Sequence, residues 1–177
     1  MSAMLVFFAS TAVLGLLAMF RAKVIAARMD AGAAAVLAVV MTTVALGRAP
    51  AAAIPLALVL ASVFAWFAVG AVHRKGGPEG PARFTAIHGA AVTALTGWVL
   101  FFAARGFGSV SVHPGHQLGL IIIDLGGAVL MVFAAASWLL GTFATPAESK
   151  SLAVPRLTGI REALMTAGLA VAFYAIS

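Results

Sequence analysis

The sequence predicts an all-α, polytopic membrane protein, a bundle of six transmembrane helices with no separate soluble domain. Hydrophobic residues make up 63% of the chain, charged residues make up 9%, and the mean hydropathy is +1.12. A soluble domain of 177 residues could not enclose so much apolar surface, so lipid must surround most of it. The spacing of the apolar runs and the placement of the basic residues point to the same fold class.

Six apolar runs are each long enough for a helix that crosses a bilayer core, which takes about 20 residues. They lie near residues 3–20, 24–46, 53–72, 84–103, 118–142 and 159–176. With their short connections they account for residues 1–177 as a single membrane domain, so any chemistry is expected within the bundle or on its loops. The first run carries no charge and precedes Arg21 and Lys23, the reverse of a secretory signal, so we expect a retained helix.

The basic residues are concentrated on alternate connections between the runs. Nine of the eleven Lys and Arg residues lie on the first, third and fifth loops, whereas Arg48 and Arg105 lie on the second and fourth. The positive-inside rule therefore places the first, third and fifth loops in the cytoplasm and both termini outside. Together with a composition typical of GC-rich bacterial genomes, this predicts a multi-pass protein of the bacterial cell (inner) membrane. Membrane lipids, and not nucleic acid, are the expected partners of the charge.

A faint internal repeat suggests that the bundle is built from repeated helical hairpins. Residues 83–90 (Arg-Phe-Thr-Ala-Ile-His-Gly-Ala) align with residues 156–163 (Arg-Leu-Thr-Gly-Ile-Arg-Glu-Ala), and Trp66 aligns with Trp138 at almost the same offset. A weaker copy near Arg28 would make three parallel hairpins. Chance similarity between Ala-rich helices is the alternative explanation.

Ionisable residues near the starts of the second, fourth and sixth runs form a candidate polar cluster, defined as Asp30, His88, Arg161 and Glu162. If these helices share a centre, the cluster would converge at one depth, where it could bind a divalent cation, relay a proton or hold a polar head group. A structural explanation competes with these functions. Acids in the first turn of a helix favour the positive end of its dipole and can pair with a nearby arginine.

Asp124 stands alone among aliphatic residues near the outer end of the fifth run. A carboxyl buried there must be protonated or must find a partner, such as Arg105 or a histidine of the preceding loop. Asp124 is therefore a candidate proton or ion site. A structural hydrogen bond between helices is the alternative.

His113 and His116 flank a Pro-Gly turn in the fourth loop and could share a transition metal. Two ligands do not complete a metal site, and Asp124 would supply a third if the loop folds back. Haem is not expected, because it needs two histidines at matching depth on adjacent helices and only His88 is predicted to be buried. The chain contains no cysteine, which excludes thiolate metal sites and disulfides.

The repeated helix start Arg-x-Thr-x-Ile, followed in its last copy by Glu162-Ala-Leu-Met165, resembles the actinobacterial multi-pass membrane proteins of the DUF5134 type. The resemblance covers the even-numbered helices. Members of that family carry His-Ala-Leu-Met followed by further methionines, whereas this chain has Glu162 for the histidine, keeps Met165, and has Leu169 and Ala172 at the later methionine positions. The family has no known function, so the resemblance implies a multi-pass fold and no activity.

Three function classes follow from these residues. The first is a non-catalytic accessory or assembly subunit of a larger bacterial membrane complex, with other subunits or a second copy as partners. The second is a small permease or ion or proton carrier that uses Asp124 and the polar cluster. The third is a metal-binding or redox protein that uses His113 and His116. No catalytic residues are assigned, because the residue pattern contains no recognisable catalytic constellation.

Overall fold

The computed structural model describes residues 2–73, 81–105, 114–144 and 156–176. Its elements are six α-helices: α1 (Ser2–Arg21), α2 (Ile25–Ala45), α3 (Ala49–His73), α4 (Pro81–Arg105), α5 (Pro114–Ala144) and α6 (Arg156–Ile176). The described residues contain no strand, which confirms the predicted all-α class.

Five of these helices, α1 to α5, are long and apolar enough to cross a membrane. The structure therefore supports a multi-pass membrane protein. Helix α6 has a similar length, 21 residues, but carries the adjacent charges of Arg161 and Glu162 within its body.

Several helices begin earlier than their apolar runs, and in α5 and α6 this changes the position of predicted site residues. Helix α5 begins at Pro114 and α6 at Arg156, so His116 lies in a first helical turn and not in a loop. Glu162 likewise lies between one and two turns inside α6, whereas the apolar run placed it at the opening of the helix. The early start of α5 is explained by Pro114. Proline is favoured at the first helical position because its fixed φ suits a helix and its missing N–H needs no partner there.

Consecutive helices pair as three antiparallel hairpins, α1 with α2, α3 with α4, and α5 with α6. Helix α1 also packs along α6, while α4 contacts both α2 and α6. The even-numbered helices consequently meet inside the bundle, with α4 between the other two. This arrangement brings the starts of α4 and α6 close together.

Glycines let the helices approach closely, which matters because lipid provides little hydrophobic reason for helices to associate. A Cβ atom on Gly168 of α6 would lie 2.7 Å from the ring of Phe8 on α1. A Cβ atom on Gly89 of α4 would lie 2.6 Å from the ring of Phe67 on α3. Both rings are buried, so neither can move aside without disturbing the core.

Buried hydroxyl groups are satisfied within their own helices. The side chains of Thr11, Thr93, Thr96 and Thr166 each donate a hydrogen bond of 2.6–2.8 Å to the carbonyl oxygen four residues earlier. Such bonds remove the cost of a polar group in an apolar interior.

Replacing Gly168 with alanine is expected to destabilise the protein by about 1–3 kcal/mol, because the new methyl group overpacks the fully buried Phe8. Thermal unfolding in detergent, followed by circular dichroism, measures the effect. Gly126→Ala is the matched control, since a Cβ there meets nothing within 4 Å, and it should leave stability unchanged or raise it. Equal behaviour of the two variants would contradict the packing of α1 on α6.

Candidate functional site

The most polar part of the described interior lies where α4 and α6 begin and α5 ends. His88 of α4, Arg161 and Glu162 of α6, and Trp138 of α5 meet there. Arg161 is 3% exposed and Glu162 is 7% exposed, so an ion pair is enclosed by helices. Burying both charges is costly unless they pair with each other and their remaining polar atoms form hydrogen bonds.

The Glu162 carboxylate uses its two oxygens for two different partners. Its Oε1 accepts a hydrogen bond of 3.1 Å from Nε of Arg161 and a second one from Nη2 of the same guanidinium. Its Oε2 lies 3.5 Å from Nε2 of His88. The carboxylate therefore links an arginine of its own helix to a histidine of the neighbouring helix.

The Nε2 atom of His88 faces two groups that require opposite protonation states. Trp138 donates its indole N–H to this nitrogen over 3.1 Å, which requires Nε2 to be an unprotonated acceptor. The carboxylate oxygen of Glu162 can only accept, so a hydrogen bond to it requires a proton on Nε2. One nitrogen cannot do both at once, so the site allows two arrangements, one with Nε2 unprotonated and facing Trp138 and one with Nε2 protonated and facing Glu162.

Aromatic rings hold the His88 imidazole between these two partners. Phe84, one turn earlier on α4, stacks on it with a centroid distance of 6.5 Å, and the ring of Trp138 meets it edge-on at 5.1 Å. These contacts leave Nε2 directed at both partners.

Of the predicted polar cluster, the structure joins His88, Arg161 and Glu162. Asp30 accepts a hydrogen bond of 2.9 Å from Nε1 of Trp66, on α3. Within the described ranges, no three His, Asp or Glu side chains are grouped closely enough to hold a metal ion. The cation-binding alternative for the cluster thus has no third ligand among these residues.

The dipole explanation for Asp30 and Glu162 is wrong in this structure. Neither α2 nor α6 has an acidic residue in its first turn, because Asp30 is the sixth residue of α2 and Glu162 is the seventh residue of α6. The dipole effect fades beyond the first turn. The local pairing with Arg161 does occur, but it takes place in a buried setting shared with His88.

Asp124 is 5% exposed and lies on α5, away from the His88 group along the bundle. Its carboxyl is hydrogen-bonded to the side chain of Trp98 on α4, and its buried Oδ1 has no hydrogen-bond partner among the described residues. The predicted partner Arg105 places its guanidinium over the ring of Phe101, 4.1 Å from the centroid. Asp124 therefore makes an interhelical hydrogen bond and keeps one carboxyl oxygen for a further partner.

The tryptophans are the functional feature that sequence reasoning missed. All three in the chain pair their indole with an ionisable side chain of a neighbouring helix: Trp66 with Asp30, Trp98 with Asp124, and Trp138 with His88. The repeat contained the signal, because Trp66 and Trp138 occupy matching positions in it. Their partners could then have been sought at the starts of the even-numbered helices.

The predicted metal pair is not tested by the structure. His113 lies outside the described residues, and only the backbone of His116 is described, in the first turn of α5. A transition metal shared by these histidines stays a prediction, as does the absence of haem.

No family model, curated protein or solved structure matches this chain. The resemblance to the DUF5134-type proteins therefore stays a prediction. Function has to be inferred from the buried group of His88, Trp138, Arg161 and Glu162.

Replacing Glu162 with glutamine should destabilise the fold by about 3–5 kcal/mol, because the buried guanidinium of Arg161 loses its counter-charge. Arg161→Gln should cost a similar amount for the reciprocal reason. The double variant should lose clearly less than the sum of the two, which unfolding in detergent can measure. Additive losses would show that the pair is not energetically coupled.

Proposed function

We propose that this chain is a small proton carrier of the cell membrane, in which His88 binds the proton and Glu162 stabilises the protonated state. The observation that carries the proposal is the position of Nε2 of His88, 3.1 Å from the indole nitrogen of Trp138 and 3.5 Å from Oε2 of Glu162. The first contact requires an unprotonated Nε2, whereas the second stabilises a proton on Nε2. Ionisable residues buried within membrane helices commonly serve proton pathways.

The proposal includes six membrane spans, with α6 as the sixth. Helix α6 packs along both α1 and α5, which are themselves long and apolar enough to span. Its charges at Arg161 and Glu162 are buried in the bundle and do not face lipid. This removes the main energetic objection to placing α6 across the membrane.

The distribution of basic residues sets the orientation in this proposal. With both termini outside, the starts of the even-numbered helices lie near the cytoplasm. His88 and Glu162 would then exchange protons with the cytoplasmic side. Asp124, with its available Oδ1, would serve the outer half of the membrane.

The three hairpins are proposed to be repeats of one unit. Support comes from Trp66, which donates to Asp30 near the start of α2, just as Trp138 donates to His88 near the start of α4. In both cases the tryptophan lies on the following odd-numbered helix. A shared ancestral hairpin explains why the same interaction occurs twice at the same end of the bundle.

An accessory role is the second candidate, and helix α3 favours it. Only 11% of the membrane-spanning stretch of α3 is buried within the bundle, the smallest share among the five candidate spans. Ala57, Ala61 and Ala65 lie on its exposed surface at steps of four residues, the small-residue spacing at which membrane helices approach closely. A second membrane protein could pack on this stripe.

Proton flux tests the carrier proposal directly. Purified protein in liposomes that contain a pH-sensitive dye is subjected to a potassium diffusion potential, and acidification is compared with that of protein-free liposomes. His88→Gln keeps a hydrogen-bond acceptor for Trp138 but cannot gain a proton, so flux should fall at least about ten-fold. His73→Gln, at an exposed position at the end of α3, should keep the wild-type flux.

Two results would contradict the carrier. One is wild-type flux no greater than that of empty liposomes, and the other is full flux in His88→Gln. A chain that conducts no protons but purifies from mild detergent with a stoichiometric membrane protein would favour the accessory role.

The proposed orientation predicts which side of the membrane each loop reaches. The chain has no cysteine, so single variants Lys75→Cys, Lys150→Cys and Arg48→Cys can be labelled in intact cells with a membrane-impermeant thiol reagent. Arg48→Cys should react, because it lies on an outer loop, whereas the other two should react only after the membrane is opened. Labelling of Lys75→Cys and Lys150→Cys on opposite sides would contradict the six-span arrangement.

A further inference from the structure

A groove of about 540 Å³ opens between α2 and α3, with the end of α1 as its third wall. Its volume lies within the range of about 300–1,000 Å³ that is common for small-ligand sites. Apolar side chains dominate the lining: Met19, Phe20, Met29, Val36, Val63 and Trp66. Phe20 is 76% exposed and Met29 is 49% exposed, so the groove faces outward and not toward the centre of the bundle.

The groove exists because the first two hairpins separate beside small residues. Helices α2 and α3 touch less extensively than either does with its hairpin partner. Gly32 and Ala33 of α2 and Ser62 of α3 contribute little volume at this place. Trp66 turns its indole N–H toward Asp30, which leaves its ring as part of the groove wall.

One cationic side chain, Arg28, lies among the described residues that line the groove. Its Nε donates a hydrogen bond of 2.7 Å to the carbonyl oxygen of Ala22, which fixes the guanidinium against the connection between α1 and α2. Neither terminal NH₂ group forms a hydrogen bond within the described part of the chain, and the side chain is exposed. The groove thus combines an apolar slot with a positioned guanidinium whose terminal NH₂ groups can donate further hydrogen bonds.

We infer that this groove binds one anionic phospholipid of the surrounding membrane. The phosphate would accept two hydrogen bonds from the terminal nitrogens of Arg28, a planar geometry that guanidinium offers and ammonium does not. One acyl chain would lie along Met29, Val36 and Val63. Lys23, which is exposed at the same end, adds positive charge that attracts a net-negative headgroup more strongly than a zwitterionic one. The inference does not depend on proton transport.

Filling the groove tests the apolar part of the site. A Cβ on Gly32 would meet Sδ of Met19 at 3.5 Å, an ordinary contact, so the backbone tolerates a side chain there. Gly32→Leu should therefore occupy the slot without overpacking the core. Gly126→Leu adds the same volume on the outer surface of α5, where a Cβ meets nothing within 4 Å.

Native mass spectrometry of the detergent-solubilised protein, titrated with phosphatidylglycerol or with phosphatidylcholine of identical chains, gives the dissociation constant of the first bound lipid. The wild type and Gly126→Leu should prefer phosphatidylglycerol by at least about ten-fold. Gly32→Leu should weaken the first phosphatidylglycerol site by at least about ten-fold.

Neutralising Arg28 tests the polar part of the site. Arg28→Gln should remove most of the preference for phosphatidylglycerol, whereas Arg21→Gln, outside the groove, should change it by at most about two-fold. Circular dichroism confirms that each variant is folded. If Gly32→Leu does not fold, the exposed Arg28 variant still decides the matter.

Three outcomes would overturn the inference. The wild type could bind both lipids equally, which indicates a non-specific lipid shell. Arg28→Gln and Arg21→Gln could have the same effect, which indicates general surface charge. Gly32→Leu and Gly126→Leu could bind alike, which places the lipid elsewhere.

Discussion

The structure depends on one constraint, which is that polar groups surrounded by hydrocarbon must find their partners within the protein. Buried threonine hydroxyls meet it locally, through the carbonyl oxygens of their own helices. The three indole side chains meet it across helices, since each is hydrogen-bonded to an ionisable side chain of another helix. The rotation and depth of each helix are therefore coupled to the position of a few polar side chains, in addition to the packing of apolar ones.

This coupling explains why the hairpins assemble with the starts of α4 and α6 together. Gly168 and Gly89 allow α6 and α4 to sit close to their odd-numbered neighbours, and that closeness sets how far the side chains must extend. Arg161 and Glu162 can then be buried because each neutralises the charge of the other. His88 contacts the second oxygen of the carboxylate. Apolar side chains of the same shape could fill this space at a similar or lower free energy, so a role beyond stability is a reasonable inference.

Hydropathy and length were enough to predict the all-α class and the approximate position of all six helices. Their ends were less predictable, because Pro114 can begin a helix in a segment that looks like a turn. The meeting of His88 with Glu162 followed from the repeat, which placed both near the starts of even-numbered helices. The pairing of Asp30 with Trp66 did not follow from the repeat, because a sequence pattern gives a residue's depth but not which neighbour its side chain faces. Only the packing of α3 on α2 brings the Trp66 indole to that carboxyl.

The proposed repeat also shows where the three hairpins differ in a way that matters for chemistry. In the first two, the ionisable residue of the even-numbered helix has its own tryptophan, Trp66 for Asp30 and Trp138 for His88. In the third, Glu162 takes Arg161 from its own helix and His88 from the second hairpin. His88 is consequently shared between its tryptophan and a neighbouring carboxylate. A bundle in which every ionisable residue had a separate tryptophan would contain no such competition, and its polar residues would be structural alone. The departure from symmetry at the third hairpin is thus what gives one imidazole nitrogen two incompatible partners and a proton with two alternatives.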